Sequence, residues 1–253
     1  DATPELCLER AYLITESYKE TESDPPVIRR AKALEKVLKE ITIHIEDGEL
    51  IVGRATGKRR GGPVTPEINW DWCRERIDTE SADCDGFAPV AEEEKPRMEG
   101  VLAYWKGKSL YDRMRAIVPE NILRLHHMTQ IPAGSCIANM NLGSHNCVDY
   151  ELVLVQGLNG VKNQVDEELA RLNLTEIEDL EKFQFLSATR ITLEAATSFA
   201  GRYAKLARSL AETETDRQRK MELERIAETC DWVPANPARS FHEALQAVWF
   251  TYL

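Results

Sequence analysis

The sequence predicts a mainly α-helical fold carrying one small β-hairpin. Three observations lead there. Apolar residues recur at helical spacing through most of the chain, as in Ile28, Ala31, Leu34, Val37, Leu38 and Ile41. One short stretch, Ile41-Thr42-Ile43-His44-Ile45, alternates with period two ahead of Asp47-Gly48 and Leu50-Ile51-Val52. From Val148 onward, long periodic segments are separated only by short breaks rich in proline or polar residues. The 253 residues, 43% hydrophobic and 30% charged, suffice to bury a large core as one big domain or two small ones.

Taken in order, residues 5–20 read as a first helix, with Leu8, Ala11, Tyr12, Thr15 and Tyr18 near one face. Asp24-Pro25-Pro26 reads as a turn and helix start, Asp24 being the expected cap. The hairpin follows, with His44 on its polar side as an exposed strand residue. Residues 53–66 form a loop rich in Gly, Pro and Arg. Trp70, Cys73, Arg74 and Ile77 mark a short amphipathic helix. Residues 78–96 are an acidic surface connection, 97–129 a helical stretch, and Pro132 to Gly143 a loop of small residues. Leu152, Val155, Leu158 and Val161 open a long helix interrupted by Gly157 and Gly160. Another spans Leu180 to Leu210. Its small residues, including Ala195, Ala196, Ala200, Gly201 and Ala204, would let a neighbour approach closely. Thr215 to Cys230 is a further helix, and Trp232-Val233-Pro234-Ala235-Asn236-Pro237 breaks the pattern. Ser240 then caps the last helix, with Glu243 completing a capping box. That helix runs through Ala247-Val248-Trp249-Phe250-Thr251-Tyr252-Leu253 without a stop signal. The expectation is that this chain is the front of a longer protein; the alternative is that the apolar end packs back on its own core.

Charge and composition narrow the function. With 32 basic against 43 acidic residues the net charge is −11, which argues against a nucleic-acid partner. The basic cluster Lys58-Arg59-Arg60 reads as a solvated turn or a local ion-pair site. No apolar run is long enough to span a bilayer, and no signal peptide is recognised at Asp1-Ala2-Thr3-Pro4-Glu5. The six cysteines, Cys7, Cys73, Cys84, Cys136, Cys147 and Cys230, form no Cys-x-x-Cys pair. They are expected to be reduced thiols of a cytoplasmic protein, mostly small core residues, and a metal site is not expected.

The segment most suggestive of a site is Gly143-Ser144-His145-Asn146-Cys147-Val148-Asp149-Tyr150. It places one histidine just before a helix, at the end of the loop that contains Pro132-Ala133-Gly134-Ser135. No nucleophile, metal cage or phosphate loop accompanies it. Gly53-Arg54-Ala55-Thr56-Gly57-Lys58 imitates a phosphate-binding loop, but it is one residue short between the glycines, and Arg59 stands where Ser or Thr should be. His126 and His127 are adjacent in a helical stretch, so they point apart and cannot share a metal. His242 is expected to be a surface or capping residue. Glu92-Glu93-Glu94 and Glu167-Glu168 are solvated carboxylates rather than an acid/base pair.

Six segments, in order along the chain, resemble the N-terminal region of glycyl radical enzymes. They are Glu9-Arg10-Ala11 with Thr15-Glu16-Ser17-Tyr18; Pro26 to Leu34; Asp47-Gly48-Glu49-Leu50-Ile51-Val52-Gly53; Arg60-Gly61-Gly62-Pro63-Val64-Thr65-Pro66-Glu67; His145 to Tyr150 with Leu154, Gly157 and Gly160; and Trp232 to Pro237 followed by Ser240 to Gln246. The pattern is similar to the pyruvate formate-lyase-like branch of dehydratases, decarboxylases and C–N or C–S lyases.

The resemblance implies that residues 1–253 are the N-terminal, mainly helical part of a ten-stranded α/β-barrel enzyme. Its expected subdivisions are 1–66 (helices, hairpin and loop), 67–143 (helices and loops) and 144–253 (long helices). It implies a lyase that cleaves a C–O, C–N, C–S or C–C bond of a small polar substrate after hydrogen abstraction by a cysteine thiyl. It also implies a glycyl radical installed by a radical S-adenosylmethionine activating enzyme, no metal of its own, an anaerobic cytoplasmic setting, and a homodimer at full length. Neither a Gly-Cys-x-Glu loop nor an Arg-Val-x-Gly-Tyr-type loop occurs in these 253 residues, so no catalytic residue is assigned and the isolated chain is expected to be inactive. Cys147 is expected to be a packing residue and Asp149 a helix-start residue. What carries over is His145, which in dehydratase-like members lines the substrate cavity and hydrogen-bonds a polar substrate group. Imidazole suits that role because it donates or accepts near neutral pH. The competing reading is that His145 caps the following helix or bonds a loop carbonyl. Ser144 stands where the family usually has glycine, and a side chain there could tilt the loop or narrow the cavity. A reading from a different class is a non-catalytic helical scaffold that binds a partner through its last helix.

Overall fold

The computed structural model describes residues 3–78, 88–122 and 148–253, and these divide between two compact units, 1–15 with 58–147 and 16–57 with 148–253. The fold is mainly α, as the periodicities predict.

The first unit is built around β1 (Glu5–Cys7), the start of α1 (Glu9–Glu20), β2 (Gly61–Pro63), α3 (Pro66–Asp78), α4 (Lys95–Trp105) and α5 (Leu110–Ile117). β1 and β2 pair in parallel, Glu5 opposite Gly61 and Cys7 opposite Pro63. The helix expected from residue 5 therefore begins only at Glu9, because the Glu5 N–H donates to the Arg60 carbonyl at 2.9 Å and the Cys7 carbonyl accepts from the Val64 N–H at 3.3 Å. Cys7, Leu8, Ala11, Val64, Cys73, Met98, Leu102 and Trp105 are buried. The indole of Trp105 donates to the Thr15 hydroxyl at 2.8 Å, and that hydroxyl donates to the Ala11 carbonyl. The single helix expected over 97–129 is instead broken within the described part into α4, α5 and a further helical start at Glu120. Gly107 at φ 76° turns the chain, and Ser109 restarts it with a complete capping box to Asp112. A side chain at φ > 0 would be strained, whereas glycine reverses the chain freely.

The second unit holds α2 (Pro26–Glu40), α6 (Tyr150–Arg171), α7 (Ile177–Thr213), α8 (Arg217–Trp232) and α9 (Phe241–Tyr252). The 37-residue α7 is its axis, with α2, α6 and α8 packed along it. Ala188, Ala195, Ala200, Ala204, Ala207 and Ala211 are all buried on α7, so the small-residue stripe brings its neighbours close, and Phe199, Tyr203 and Phe250 of α9 pack as a ring cluster among them. A second knot joins Val153, Leu158, Val233 and Ala247. Asp24 does not cap α2, whose N-cap is Pro25 with no side-chain bond; the Asp24 carboxylate pairs with Lys32 at 2.6 Å.

No hairpin forms over residues 41–52. Asp47-Gly48 does turn, with Gly48 at φ 77° and the Glu49 N–H bonded to the Glu46 carbonyl at 3.2 Å, but the flanking residues form no ladder. Side chains from the helices satisfy this backbone instead. Arg219 donates to the Glu46 and Glu49 carbonyls, both at 2.9 Å, and Arg202 to those of Leu38 and Ile41 at 2.7 and 2.5 Å. Gln246, 1% exposed, accepts from the Val52 N–H at 2.8 Å and donates to the Val52 carbonyl at 2.6 Å. The Tyr203 hydroxyl accepts from the Arg54 N–H at 3.1 Å, and the Trp249 indole donates to the Gly53 carbonyl at 2.9 Å. Backbone polar groups in a buried segment must be paired, and here the α7, α8 and α9 side chains replace a partner strand. His44, expected on a strand, is half-buried in this irregular segment, its Nε2 3.4 Å from Glu46 Oε1.

Candidate functional site

His145 lies outside the described residues, as do Ser144, Cys147, Cys84, Cys136, His126, His127 and the loop from Pro132 to Gly143. What is described is the helix that follows. The Asp149 carboxylate accepts from the Leu152 N–H at 3.0 Å and so caps α6, as its place before the apolar run suggests. Asp149 serves the helix start, where an acidic side chain also complements the helix dipole.

α6 is then broken once. Gly157 takes φ 67° and ψ 168°, a conformation essentially confined to glycine, while Gly160 remains helical. The break opens α6 to the segment that follows α8. Leu158 N–H donates to the Pro234 carbonyl at 2.8 Å, Asn159 N–H to the Ala235 carbonyl at 2.9 Å, and Ala238 N–H to the Leu154 carbonyl at 3.1 Å. That segment is itself fixed. The Trp232 indole donates to the Pro237 carbonyl at 2.7 Å, and the Asn236 amide to the Trp232 carbonyl at 3.0 Å. Arg239 lies over the Trp232 ring, 4.2 Å from its centroid, and bonds the buried Glu243 carboxylate at 2.6 Å. Gly157 and the segment 232–238, two separate motifs in the sequence, are thus one backbone clamp that sets the first half of α6.

The last helix begins at Ser240, whose hydroxyl accepts from the Glu243 N–H at 3.3 Å. The expected box is half formed, since the Glu243 carboxylate reaches the Arg239 N–H at 2.6 Å rather than the backbone of Ser240. The pKa of Glu243 is held below the ordinary value, chiefly by Arg239. His242 is not the cap. It is partly buried, with Nε2 enclosed, and burial together with nearby Arg225 lowers its pKa.

The other sequence candidates are structural. Lys58 sits 3.3 Å from Glu5, so the basic cluster contains a local ion pair. Glu167 and Glu168 are exposed and face Arg171, and Glu92 pairs with Lys95. Cys7, Cys73 and Cys230 are buried free thiols, and burial pushes Cys73 up to about 11 and Cys230 to about 12. No group of three metal-binding side chains converges among the described residues. No described helix is long and apolar enough to cross a membrane. An open cleft of about 430 Å³ lies between the end of α6 and the start of α7, lined by Glu168, Leu172, Glu181, Lys182, Phe185 and Leu186. It holds no convergent catalytic pair.

Sequence reasoning missed the Arg239–Glu243–Trp232 assembly and the Gln246 clasp on Val52. The Ser240-x-x-Glu243 pattern was the only signal for the first. The second joins residues 194 positions apart and leaves no local trace.

The whole chain, residues 1–253, matches the family model described as pyruvate formate lyase-like. It is 38% identical to the isethionate sulfite-lyase of Oleidesulfovibrio alaskensis over 99% of this chain and 31% of that protein. It is similar to a structure solved for 1,2-propanediol dehydration in Roseburia inulinivorans, with TM-score 0.92 and 39% identity over 99% of this chain and 30% of that one. It is also similar to the glycerol-bound B12-independent glycerol dehydratase from Clostridium butyricum, with TM-score 0.89 and 36% identity over 100% of this chain and 32% of that one. The chain spans about a third of the length of these relatives. A match that runs the full length of the chain, in sequence and in fold, leads to one conclusion: it belongs to the pyruvate formate lyase-like family of glycyl radical enzymes.

Proposed function

We propose that this chain is the N-terminal region of a glycyl radical lyase or dehydratase acting on a small polar substrate, and that it supplies one wall of the substrate cavity. The observation that carries the reading is the unbroken similarity of residues 1–253 to relatives named as a sulfite-lyase and as dehydratases. In the complete enzyme a protein-borne radical, installed by a radical S-adenosylmethionine activating enzyme, supplies hydrogen abstraction through residues other than these 253. The complete protein works as a cytoplasmic homodimer, and this chain alone is inactive.

Within that division of labour His145 binds the substrate. Its imidazole hydrogen-bonds a hydroxyl or similar polar group and orients it for bond cleavage. The Asp149 cap and the Gly157 clamp support this reading, because they anchor the helix that begins five residues beyond His145. A substrate contact is useful only when the element behind it is rigid.

The test uses the activated full-length enzyme. H145A lowers kcat/KM by about tenfold to a hundredfold, the cost of one unmade hydrogen bond in a desolvated site. The radical yield, read by electron paramagnetic resonance, stays unchanged. H145Q recovers part of the loss, because its side-chain amide can still donate or accept a hydrogen bond. Unchanged kinetics in H145A would overturn the assignment.

A further inference from the structure

His242 stands in the first turn of α9, the helix that packs against α6, α7 and α8. Its Nε2 is enclosed by the surrounding chain and has no hydrogen-bond partner among the described residues. A neutral imidazole can leave that nitrogen as a bare acceptor. A protonated one buries an N–H and a charge there with nothing to receive them. The surroundings oppose the proton further. Arg225 of α8 repels it, and the positive end of the α9 dipole disfavours any cation in the first turn. Glu243 is the one carboxylate that attracts it, and that carboxylate is already held by the Arg239 guanidinium at 2.6, 3.1 and 3.2 Å. Neither α6 nor α7 adds a described charged group that acts on the ring. Nε2 is closed off by these residues themselves, so further chain packed over them deepens the burial without supplying an acceptor.

The same turn of α9 carries connections that matter beyond it. Glu243 joins it to Arg239, which lies 4.2 Å from the centroid of Trp232 at the start of the segment that clamps α6. Gln246, one turn further on, holds both sides of the Val52 peptide at 2.8 and 2.6 Å. We propose that His242 is an acid-sensitive latch between α8 and α9: its neutral ring lets the first turn of α9 seat, and a proton on it loosens that turn together with the Arg239–Glu243–Trp232 assembly. The folded ring takes up a proton less readily than the open chain does, because burial and Arg225 lower its pKa. The latch is therefore closed above the ordinary histidine value of about 6.5 and releases as pH falls below it. Glu243 loses its own contribution only further down, below the ordinary carboxylate value, so the two groups act in separate windows. The latch is independent of the His145 reading.

The experiment is hydrogen–deuterium exchange of the full-length protein, read by mass spectrometry on peptides covering 232–253 and corrected for the intrinsic pH dependence of exchange. Between about pH 7.5 and 5.5 the parent loses at least about threefold in protection there, and regains it when the pH is restored. A peptide from the middle of α7, which contains no histidine, keeps its protection and serves as the control. H242F, whose ring fills the site without titrating, shows no such loss, and H242Q repeats that result should the phenylalanine variant fold poorly. R225Q, which removes the repelling charge, shows a smaller loss than the parent. The proposal is overturned if the parent keeps its protection at pH 5.5, if the His242 variants lose as much as the parent, or if R225Q loses more.

Discussion

Replacing Gly157 with alanine tests the clamp that sets the first half of α6. The residue sits at φ 67° and ψ 168°. Forcing alanine there costs about 1–3 kcal/mol of backbone strain. The added Cβ would also lie 2.5 Å from the Ala235 carbonyl oxygen and 2.6 Å from two backbone atoms of Asn236. Those neighbours are main chain and cannot swing aside. The segment must retreat, and the bonds Leu158 to Pro234 and Asn159 to Ala235 lengthen or break, at about 1 kcal/mol each. The sum is about 3–5 kcal/mol, a large part of the roughly 5–15 kcal/mol that stabilises a typical protein. Gly201 is the internal control. It lies inside α7, and a Cβ added there would meet nothing within 4 Å, so G201A should stabilise by about 0.5–1 kcal/mol. Urea titration followed by circular dichroism reads both variants. A G157A midpoint equal to that of the parent would refute the clamp argument.

Three further outcomes follow from these contacts. Q246L strips both partners from the buried Val52 peptide and should destabilise by about 2–4 kcal/mol in the same titration, whereas a loss under about 0.5 kcal/mol would mean that the segment satisfies itself. Cys73 and Cys230, with pKa values of about 11 and about 12, should resist a thiol reagent at mildly alkaline pH in the folded protein and react on unfolding, because the thiolate is the nucleophile; rapid native labelling of either would contradict their burial. Glu243 has a folded pKa below its ordinary value, so its contribution is present above that ordinary value and is lost as pH falls through the lower folded one; E243Q should flatten the acid limb of the stability profile, and an unchanged limb would remove the Arg239 pair as its cause.

The legible parts of the fold are those whose signal is local. Helical periodicity located α2, α7, α8 and α9 because one face of each buries against a neighbour. The alternation at residues 41–52 misled for a physical reason. A period of two reports only that successive residues face opposite sides, and the partner was a set of helix side chains rather than a strand. β1 was illegible because its partner, β2, lies far along the chain in a Gly/Pro loop. The site was read from family motifs at His145, which lies outside the described residues, while Asp149 is the helix-start residue that the sequence predicts.

By itself, then, the sequence determined the helices, the acidic balance, the Asp149 and Ser240 helix starts, and the family to which the ordered motifs belong. Tertiary structure alone decided that Gly157 meets the 232–238 segment and that Gln246 clasps Val52. Periodicity and caps act over one or two helical turns. Backbone clamps and charge pairing depend on residues brought together from distant parts of the chain, and only the packed fold specifies those.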